Sequence, residues 1–325
     1  MGCTCVCDET AWLVLFPRKE ADMAYGLEPD ENPADGLKRI ALEQLDQAIG
    51  NAVSADMARD EAVHDVRKCL KKLRAVLRMA RAELGESTFR RENTCFREAA
   101  KRLSGLREAA VRVSTAEKLQ THFTGQAIDV FAPLLDNLRA QAEAVRAEHL
   151  DQGDALGDVA AVLRDARARV DGWPLRARDF PAVAGGVRRV YRQGRKGLCL
   201  AGKKATDEHF HEWRKAVKCL WYHARLLESA WPAMMGALVW ELDVLGDALG
   251  EDHDLADLRA ALAKKPELAG GLPASEAIMR LCVQRQDELR QAARSLGARV
   301  YAEKPRAFVD RLGAYWKVSH ASTSG

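Results

Sequence analysis

Apolar residues recur every three or four positions along most of the chain, which is the spacing of one face of an α-helix. The stretch that begins at His64 shows this spacing, because Val66, Leu70, Leu73 and Leu77 fall on one arc when each residue advances about 100°. Consecutive β-branched residues are few, while Ala, Leu, Arg and Glu are abundant, so intrinsic preference also favours helices. The pattern predicts an all-α fold.

Proline and glycine divide this pattern into segments of roughly 15 to 30 residues. Breaks are expected at Gly85, Pro133, Gly153 with Gly157, Trp173 with Pro174, Pro181 with Gly185 and Gly186, Pro232, Gly270 to Pro273, and Pro305. Residues 1–36 contain three prolines and an acidic stretch. We therefore expect a poorly ordered lead-in before the helical pattern begins at Leu37.

Two segments of the chain resemble each other. Residues 64–71 read HDVRKCLK and residues 211–218 read HEWRKAVK, at an offset of 147. A second pair, LSGLRE from residue 103 and LGEDHD from residue 249, follows at an offset of 146. We interpret the chain as a duplication of one helical unit, with halves at 37–175 and 176–325.

The face of each repeated helix that lies opposite its apolar arc is cationic. The first helix carries His64, Arg67, Lys71, Arg74 and Arg78 in one row, with Lys68 and Lys72 at its flanks. The second carries His211, Arg214, Lys215, Lys218 and Arg225 at the same angles, with Trp221 in place of Arg74. Asp65 is the only acid between residues 62 and 81.

A charged helix face is usually a solvated surface, but such surfaces normally mix both signs. Like charges at i and i+4 destabilise a helix by roughly 0.2 to 0.5 kcal/mol per pair, and this row contains several. One cation per helical turn, about every 5.4 Å, suits a linear polyanion. We therefore favour a polyanion site over a solvated face.

Charge is segregated elsewhere in the chain, although the net charge is only +3. Residues 185–204 hold seven Lys or Arg and no acid, whereas residues 243–258 hold six acids and no Lys or Arg. The first of these segments contains Arg188, Arg189, Arg192, Arg195 and Lys196. This third basic run is expected to line the same anion path as the two repeated helices.

The repeated motifs resemble the CHAD family, the conserved histidine α-helical domain, from about Leu37 to near the end of the chain. The resemblance implies two helical bundles related by pseudo-twofold symmetry, with a basic groove or channel between them. It also implies binding of inorganic polyphosphate and association with polyphosphate granules. It carries the binding role onto the basic residues named above, and more weakly onto Arg97, Lys101 and Arg102. The first half departs from the family pattern at Ser104 and Glu108, so the two halves are expected to bind unequally.

Other interpretations stay open at this point. Nucleic acid would be attracted by the same cations, and Trp221, Tyr222 and Tyr191 could stack on its bases. A polyphosphatase could bind Mg²⁺ through Glu251, Asp252, His253, Asp254 and Asp257, although a solvated acidic helix end is the simpler interpretation. The sequence contains no Gly-rich phosphate loop. We therefore expect a binding protein without enzymatic activity, metal or cofactor.

The roles of the two motif histidines also stay open among helix organiser, phosphate ligand and catalytic base. No apolar run approaches the roughly 18 residues that span a membrane, so a cytoplasmic protein is expected. Five cysteines lie in helical patterns without paired spacing and are interpreted as reduced core thiols: Cys69, Cys95, Cys199, Cys219 and Cys282. Cys3, Cys5 and Cys7 do not complete a zinc set and are assigned to the lead-in.

Overall fold

The computed structural model describes residues 25–103, 105–124, 130–151 and 155–321. Within these ranges the chain forms eleven α-helices and no strand, which confirms the all-α prediction. The helices are α1 Pro33–Val53, α2 Arg59–Met79, α3 Arg81–Arg102, α4 Gly105–His122, α5 Ala132–Asp151, α6 Ala155–Ala168, α7 Pro181–Lys203, α8 Asp207–Leu226, α9 Pro232–Lys264, α10 Leu272–Val300 and α11 Pro305–Ala321. Short 3-10 helices, Glu228–Ala230 and Pro266–Ala269, flank α9.

Proline sets most of the helix starts, as the sequence predicts. Pro181, Pro232 and Pro305 each occupy the first turn of a helix, where the missing N–H costs no hydrogen bond. The start of α1 differs from the prediction, because this helix begins at Pro33 and not at Leu37. The side chain of Asn32 caps it by accepting a hydrogen bond from the backbone N–H of Ala34 at 3.2 Å.

Two glycine predictions have opposite outcomes. Gly85 has φ of 71° and interrupts α3, so a break lies where it was expected. Gly185 and Gly186 do not break the chain but lie inside α7. A Cβ atom on Gly186 would stand 2.1 Å from the carbonyl oxygen of Met79. The glycine is therefore explained by the close crossing of α7 and α2, not by a turn.

The buried side chains form two cores. The larger core combines α1, α2, α3 and α6 with α7, α8, α11, the first part of α9 and the end of α10. The smaller core is built from α4, α5, the second part of α9 and the first part of α10. Helices from both predicted halves thus share the larger core. The twofold relation between the halves and their boundary near residue 175 stay predictions.

Part of the predicted lead-in belongs to the folded body. Tyr25 and Leu27 are 2% and 3% exposed. The hydroxyl of Tyr25 donates a hydrogen bond to the carbonyl of Lys72 at 3.1 Å, and the N–H of Leu27 donates to the carbonyl of Leu226 at 2.9 Å. Residues 25–32 therefore connect α2 and α8. The Cys3, Cys5 and Cys7 tract lies outside the described residues.

The cysteine prediction is confirmed at three positions and wrong at one. Cys69, Cys219 and Cys282 are buried free thiols, and Cys95 is half-buried. Cys199 is exposed on α7, because its position lies on the solvent side of that helix. None of the helices in the described part of the chain combines the length and apolar character needed to cross a membrane.

Candidate anion-binding surface

Helix α2 packs against α3 with a register that two hydrogen bonds define. The guanidinium of Arg67 donates to the carbonyl of Ala100, and Nε of Arg74 donates to Oδ1 of Asn93 at 3.2 Å. The two helices run in opposite directions, since the later α2 residue meets the earlier α3 residue. The α2 positions between these anchors consequently lie beside the α3 positions between residues 93 and 100.

This register brings cations from the two helices together. Lys71 lies between the two α2 anchors, and Arg97 lies between the two α3 anchors, with Lys101 one turn further along α3. Lys71, Arg97 and Lys101 are exposed, and Arg74 and Arg78 are half-buried. These five residues are called the α2–α3 basic face below.

The charges of this face act on one another. Burial, together with the positive charges of Arg78 and Arg97, lowers the pKa of Arg74 to about 10. Desolvation and like charge both disfavour a guanidinium ion, so both effects would be relieved by an anion at this position. Like charges from two helices have therefore been brought together at a half-buried position, where the repulsion is screened less than in water.

Arg78 also connects this face with α8. It lies close to the buried side chains of Cys219 and His223. Burial and, to a smaller extent, the charge of Arg78 together lower the pKa of His223 to about 4, although the hydrogen bond with the carbonyl of Ala75 opposes them. Nε2 of His223 lies 3.0 Å from the carbonyl oxygen of Ala75, so a neutral ring donates a hydrogen bond across the α2–α8 contact. The repeated motif at residues 211–218 does not include this histidine, so the motif gives no signal for it.

The cations of the second repeated helix have acidic neighbours. Nζ of Lys218 lies 3.2 Å from Oδ1 of Asp243 and 3.0 Å from Oδ1 of Asp247. Lys215 forms an ion pair with Glu212 one turn earlier in α8. The two repeated helices therefore present different electrostatic surfaces, although their sequences predict the same row of cations.

Glycines in α9 allow α8 to approach closely. A Cβ atom on Gly246 would stand 2.8 Å from Cε of Lys218, and one on Gly250 would stand 3.5 Å from Nε of Arg214. Arg214 also lines a cavity of about 550 Å³ between α4, α8, α9 and α10, together with Lys118 and Asp254. Burial raises the pKa of Asp254, and the charge of Arg214 opposes that effect. Both signs of charge thus line this cavity.

Two of the predicted site residues are buried and do not lie on the protein surface. Lys72 is 2% exposed, and its Nζ lies 5.0 Å from the centroid of the Tyr25 ring. Arg225 is 6% exposed, and its guanidinium lies over Trp221 and Tyr25 at 4.8 and 5.4 Å. Placing Lys72 and Arg225 on the exposed surface is therefore wrong. The reason is that Tyr25, which was assigned to the lead-in, covers both positions.

The two motif histidines have different surroundings. His64 is exposed and lines a cavity of about 320 Å³ with Val63, Val111 and Ser114. His211 is half-buried, and its ring centroid lies 4.1 Å from that of His253. Burial lowers the pKa of His211, and the charge of His253 adds to the effect. His211 therefore favours the neutral form, which suits a packed ring better than a phosphate ligand.

The third basic run lies on α7. Four of its members are exposed: Arg188, Arg189, Arg192 and Lys196. Arg195 is half-buried and donates a hydrogen bond to the carbonyl of Glu303, in the connection between α10 and α11. Tyr191 is buried beside the same connection, where its hydroxyl donates to the carbonyl of Val300 at 3.2 Å. The ring of Tyr191 is thus packed within the protein. That this basic run and α2 line one anion path stays a prediction.

The remaining candidates of the first half lie at the edges of α2 and α3. Arg102 is exposed at the last position of α3, and Lys68 is half-buried on α2. Nε of Arg97 forms an ion pair with Glu98 at 3.0 Å, between two side chains that are each about half exposed. Such an exposed pair is weak, so it leaves the guanidinium able to exchange partners.

The acidic segment of α9 does not form the solvated helix end that the sequence predicts. Asp252 is 1% exposed, and its carboxylate accepts a hydrogen bond from Nε of Arg290 at 2.6 Å and one from Gln286 at 3.1 Å. Glu251 forms an ion pair with Arg285 at 2.6 Å. Asp252 and Glu251 therefore connect α9 with α10. The part of the chain that the structure describes contains no group of three or more His, Cys, Asp or Glu side chains that could hold a metal ion.

A sequence model described as the CHAD domain matches residues 39–263. The chain belongs to the CHAD domain family. The match confirms the resemblance found in the repeated motifs, but it ends within α9, so α10 and α11 lie beyond the matched region.

The overall fold is also found in a solved structure. The chain is similar to PptA from Streptomyces chartreusis with a TM-score of 0.62 and 17% sequence identity, over 84% of this chain and 100% of that chain. At this identity the similarity shows the fold alone. A comparison with curated proteins found no match.

Proposed function

We propose that this CHAD protein binds long-chain inorganic polyphosphate without cleaving it, and that the α2–α3 basic face is the main contact. The observation that carries the proposal is the half-buried Arg74, whose pKa is lowered to about 10 by burial and by Arg78 and Arg97. Its desolvation and repulsion cost free energy in the unbound protein. A phosphate at this position would offset that cost.

The shape of the face favours a linear anion over a small one. Lys71, Arg74 and Arg78 follow one another at spacings of three and four residues on α2, and Arg97 and Lys101 do the same on the antiparallel α3. One helical turn advances about 5.4 Å, so two rows of cations lie side by side. A chain of closely spaced phosphates could contact both rows without one required register.

Nucleic acid is the nearest competitor for this surface, since it also offers phosphates. Single-stranded nucleic acid usually adds stacking on exposed aromatic rings. Trp221, the aromatic residue within the second row, is half-buried and lies between two cations, Lys218 at 5.2 Å and Arg225 at 4.8 Å. Its ring is thus engaged within the protein, which favours the backbone-only recognition that polyphosphate requires.

A competition titration tests the proposal. Fluorescent long-chain polyphosphate is bound to the protein at about 150 mM salt and displaced with unlabelled polyphosphate, single-stranded DNA or RNA. We expect polyphosphate to displace the probe at much lower phosphate concentration than either nucleic acid. Equal or better competition by nucleic acid would overturn the choice of ligand. Release of orthophosphate with Mg²⁺ present would overturn the non-catalytic assignment.

Binding to polyphosphate would also place the protein at polyphosphate granules in the cell. This location is part of the proposal and follows from mass action, because the granule holds the ligand at high density. A fluorescent fusion should be granular in cells that store polyphosphate and diffuse in cells that lack it.

A further inference from the structure

We infer that Asp243 and Asp247 hold Lys218 in place of a phosphate, so that polyphosphate is bound asymmetrically, by the first repeated helix and not by the second. This inference rests on the proposed function and adds to it which half of the molecule carries the ligand. Its basis is the ion pairing of Lys218 and the different residues that α3 and α9 place beside the two basic helices.

Two carboxylates surround the ammonium group of Lys218. Its Nζ is within 3.2 Å of one carboxylate and 3.0 Å of another, supplied by α9 positions one turn apart. Gly246 lies between Asp243 and Asp247, and a Cβ there would collide with Cε and Cδ of Lys218. The stem of the lysine thus lies flat on α9, and its ammonium group ends between the two acids.

The first half has cations at the corresponding positions. The offset of 146 residues that aligns residue 103 with residue 249 also aligns Arg97 with Asp243 and Lys101 with Asp247. Burial supports this alignment, because Phe96 and its counterpart Leu242 are both fully buried. The α2–α3 register places Arg97 beside Lys71, as the α8–α9 contact places Asp243 beside Lys218.

The charge difference between the two halves is large. The five positions of the α2–α3 basic face carry five positive charges. Their counterparts carry two cations, two acids and an aromatic ring, which sum to zero: Lys218, Trp221, Arg225, Asp243 and Asp247. Arg225 is moreover buried. A polyanion is therefore attracted more strongly to the α2–α3 basic face than to its counterpart on α8 and α9, since attraction follows the local charge and not the shared motif.

Matched substitutions in the two helices test the inference through polyphosphate affinity. Lys71→Gln should weaken binding about 10-fold at low salt and flatten the dependence of log Kd on log salt by about 0.7 to 0.9, as loss of one phosphate contact does for nucleic acids. Lys218→Gln should change affinity less than about 2-fold, because Asp243 and Asp247 neutralise its ammonium group and repel an approaching phosphate. Circular dichroism verifies that each variant keeps its helices.

Removal of the charges of Asp243 and Asp247 should allow polyphosphate to bind at Lys218. Asp243→Asn with Asp247→Asn is expected to tighten binding about 3- to 10-fold and to steepen the salt dependence by about one phosphate contact. Adding Lys218→Gln to that double variant should reverse the gain. Lysine acetylation followed by mass spectrometry gives a second readout, in which polyphosphate protects Lys71 in the native protein and protects Lys218 only in the double variant.

The outcomes separate this inference from the proposed function. If the native protein binds polyphosphate and Lys71→Gln and Lys218→Gln weaken it equally, the asymmetry is wrong while the function stands. Protection of Lys218 from acetylation in the native protein would lead to the same conclusion. If the native protein does not bind polyphosphate, both the function and the inference are overturned.

Discussion

Replacement of Arg97 by Gln should weaken polyphosphate binding while slightly stabilising the free protein. Arg97 has a side chain that is 55% exposed and an ion pair with Glu98 at 3.0 Å, so glutamine fits the same helix position without leaving a cavity. Its charge also lowers the pKa of Arg74. The substitution therefore removes one ligand contact and one repulsion at the same time.

The size of each effect can be derived from these contacts. A charge-assisted hydrogen bond contributes about 1.5 to 3 kcal/mol, and at an exposed position we take about 1 to 2 kcal/mol, or roughly 5- to 30-fold in Kd. Relief of one like-charge contact is worth a few tenths of a kcal/mol. In a protein of this size, that relief corresponds to about 1 °C or less in Tm.

Fluorescence titration with labelled polyphosphate at several salt concentrations measures the affinity, and differential scanning calorimetry measures Tm. The matched control is Arg306→Gln on α11, where the arginine side chain is 87% exposed and lies 3.6 Å from Asp310. We expect the control to change neither quantity appreciably. A loss of affinity equal in both variants, or a drop of several degrees in Tm for Arg97→Gln, would refute the reasoning.

Three further predictions concern stability. Burial holds the pKa of His223 near 4, below its ordinary value of 6.5, so the neutral ring stabilises the native state fully above about pH 6.5. That stability, up to about 3 kcal/mol, is lost as the pH falls to 4, and thermal melts of His223→Gln should depend less on pH over this range. Gly186→Ala should destabilise by about 1 to 3 kcal/mol in urea unfolding because its Cβ meets the Met79 backbone, whereas Gly202→Ala, which meets nothing within 4 Å, should not. Arg290→Met should cost about 3 to 5 kcal/mol in the same assay, because it leaves the carboxylate of Asp252 buried without its cation, and an unchanged midpoint would contradict this.

Much of the fold could be predicted from local signals. Proline positions predict the starts of α7, α9 and α11, since the chemistry of a helix N-terminus depends on neighbouring residues only. Gly186 could not be interpreted correctly from the sequence, because a glycine needed for a helix crossing looks the same as one needed for a turn. The partner that explains it, Met79, is more than 100 residues away in the chain.

The sequence predicts only those features of the site that depend on a single helix. A helical wheel identifies the row that contains Lys71 and Arg74, because side-chain direction follows from the position on the helix. It does not show what a neighbouring helix adds. Tyr25 covers Lys72, and Asp243 neutralises Lys218, through tertiary contacts that the wheel does not contain.

The central claim, that the α2–α3 basic face binds polyphosphate, is tested most directly by a crystal structure of the protein with polyphosphate of defined length. We predict phosphate groups within hydrogen-bonding distance of Lys71, Arg97 and Lys101. Phosphates bound only along the α7 run from Arg188 to Lys196, or only in the cavity beside Arg214, would contradict the account.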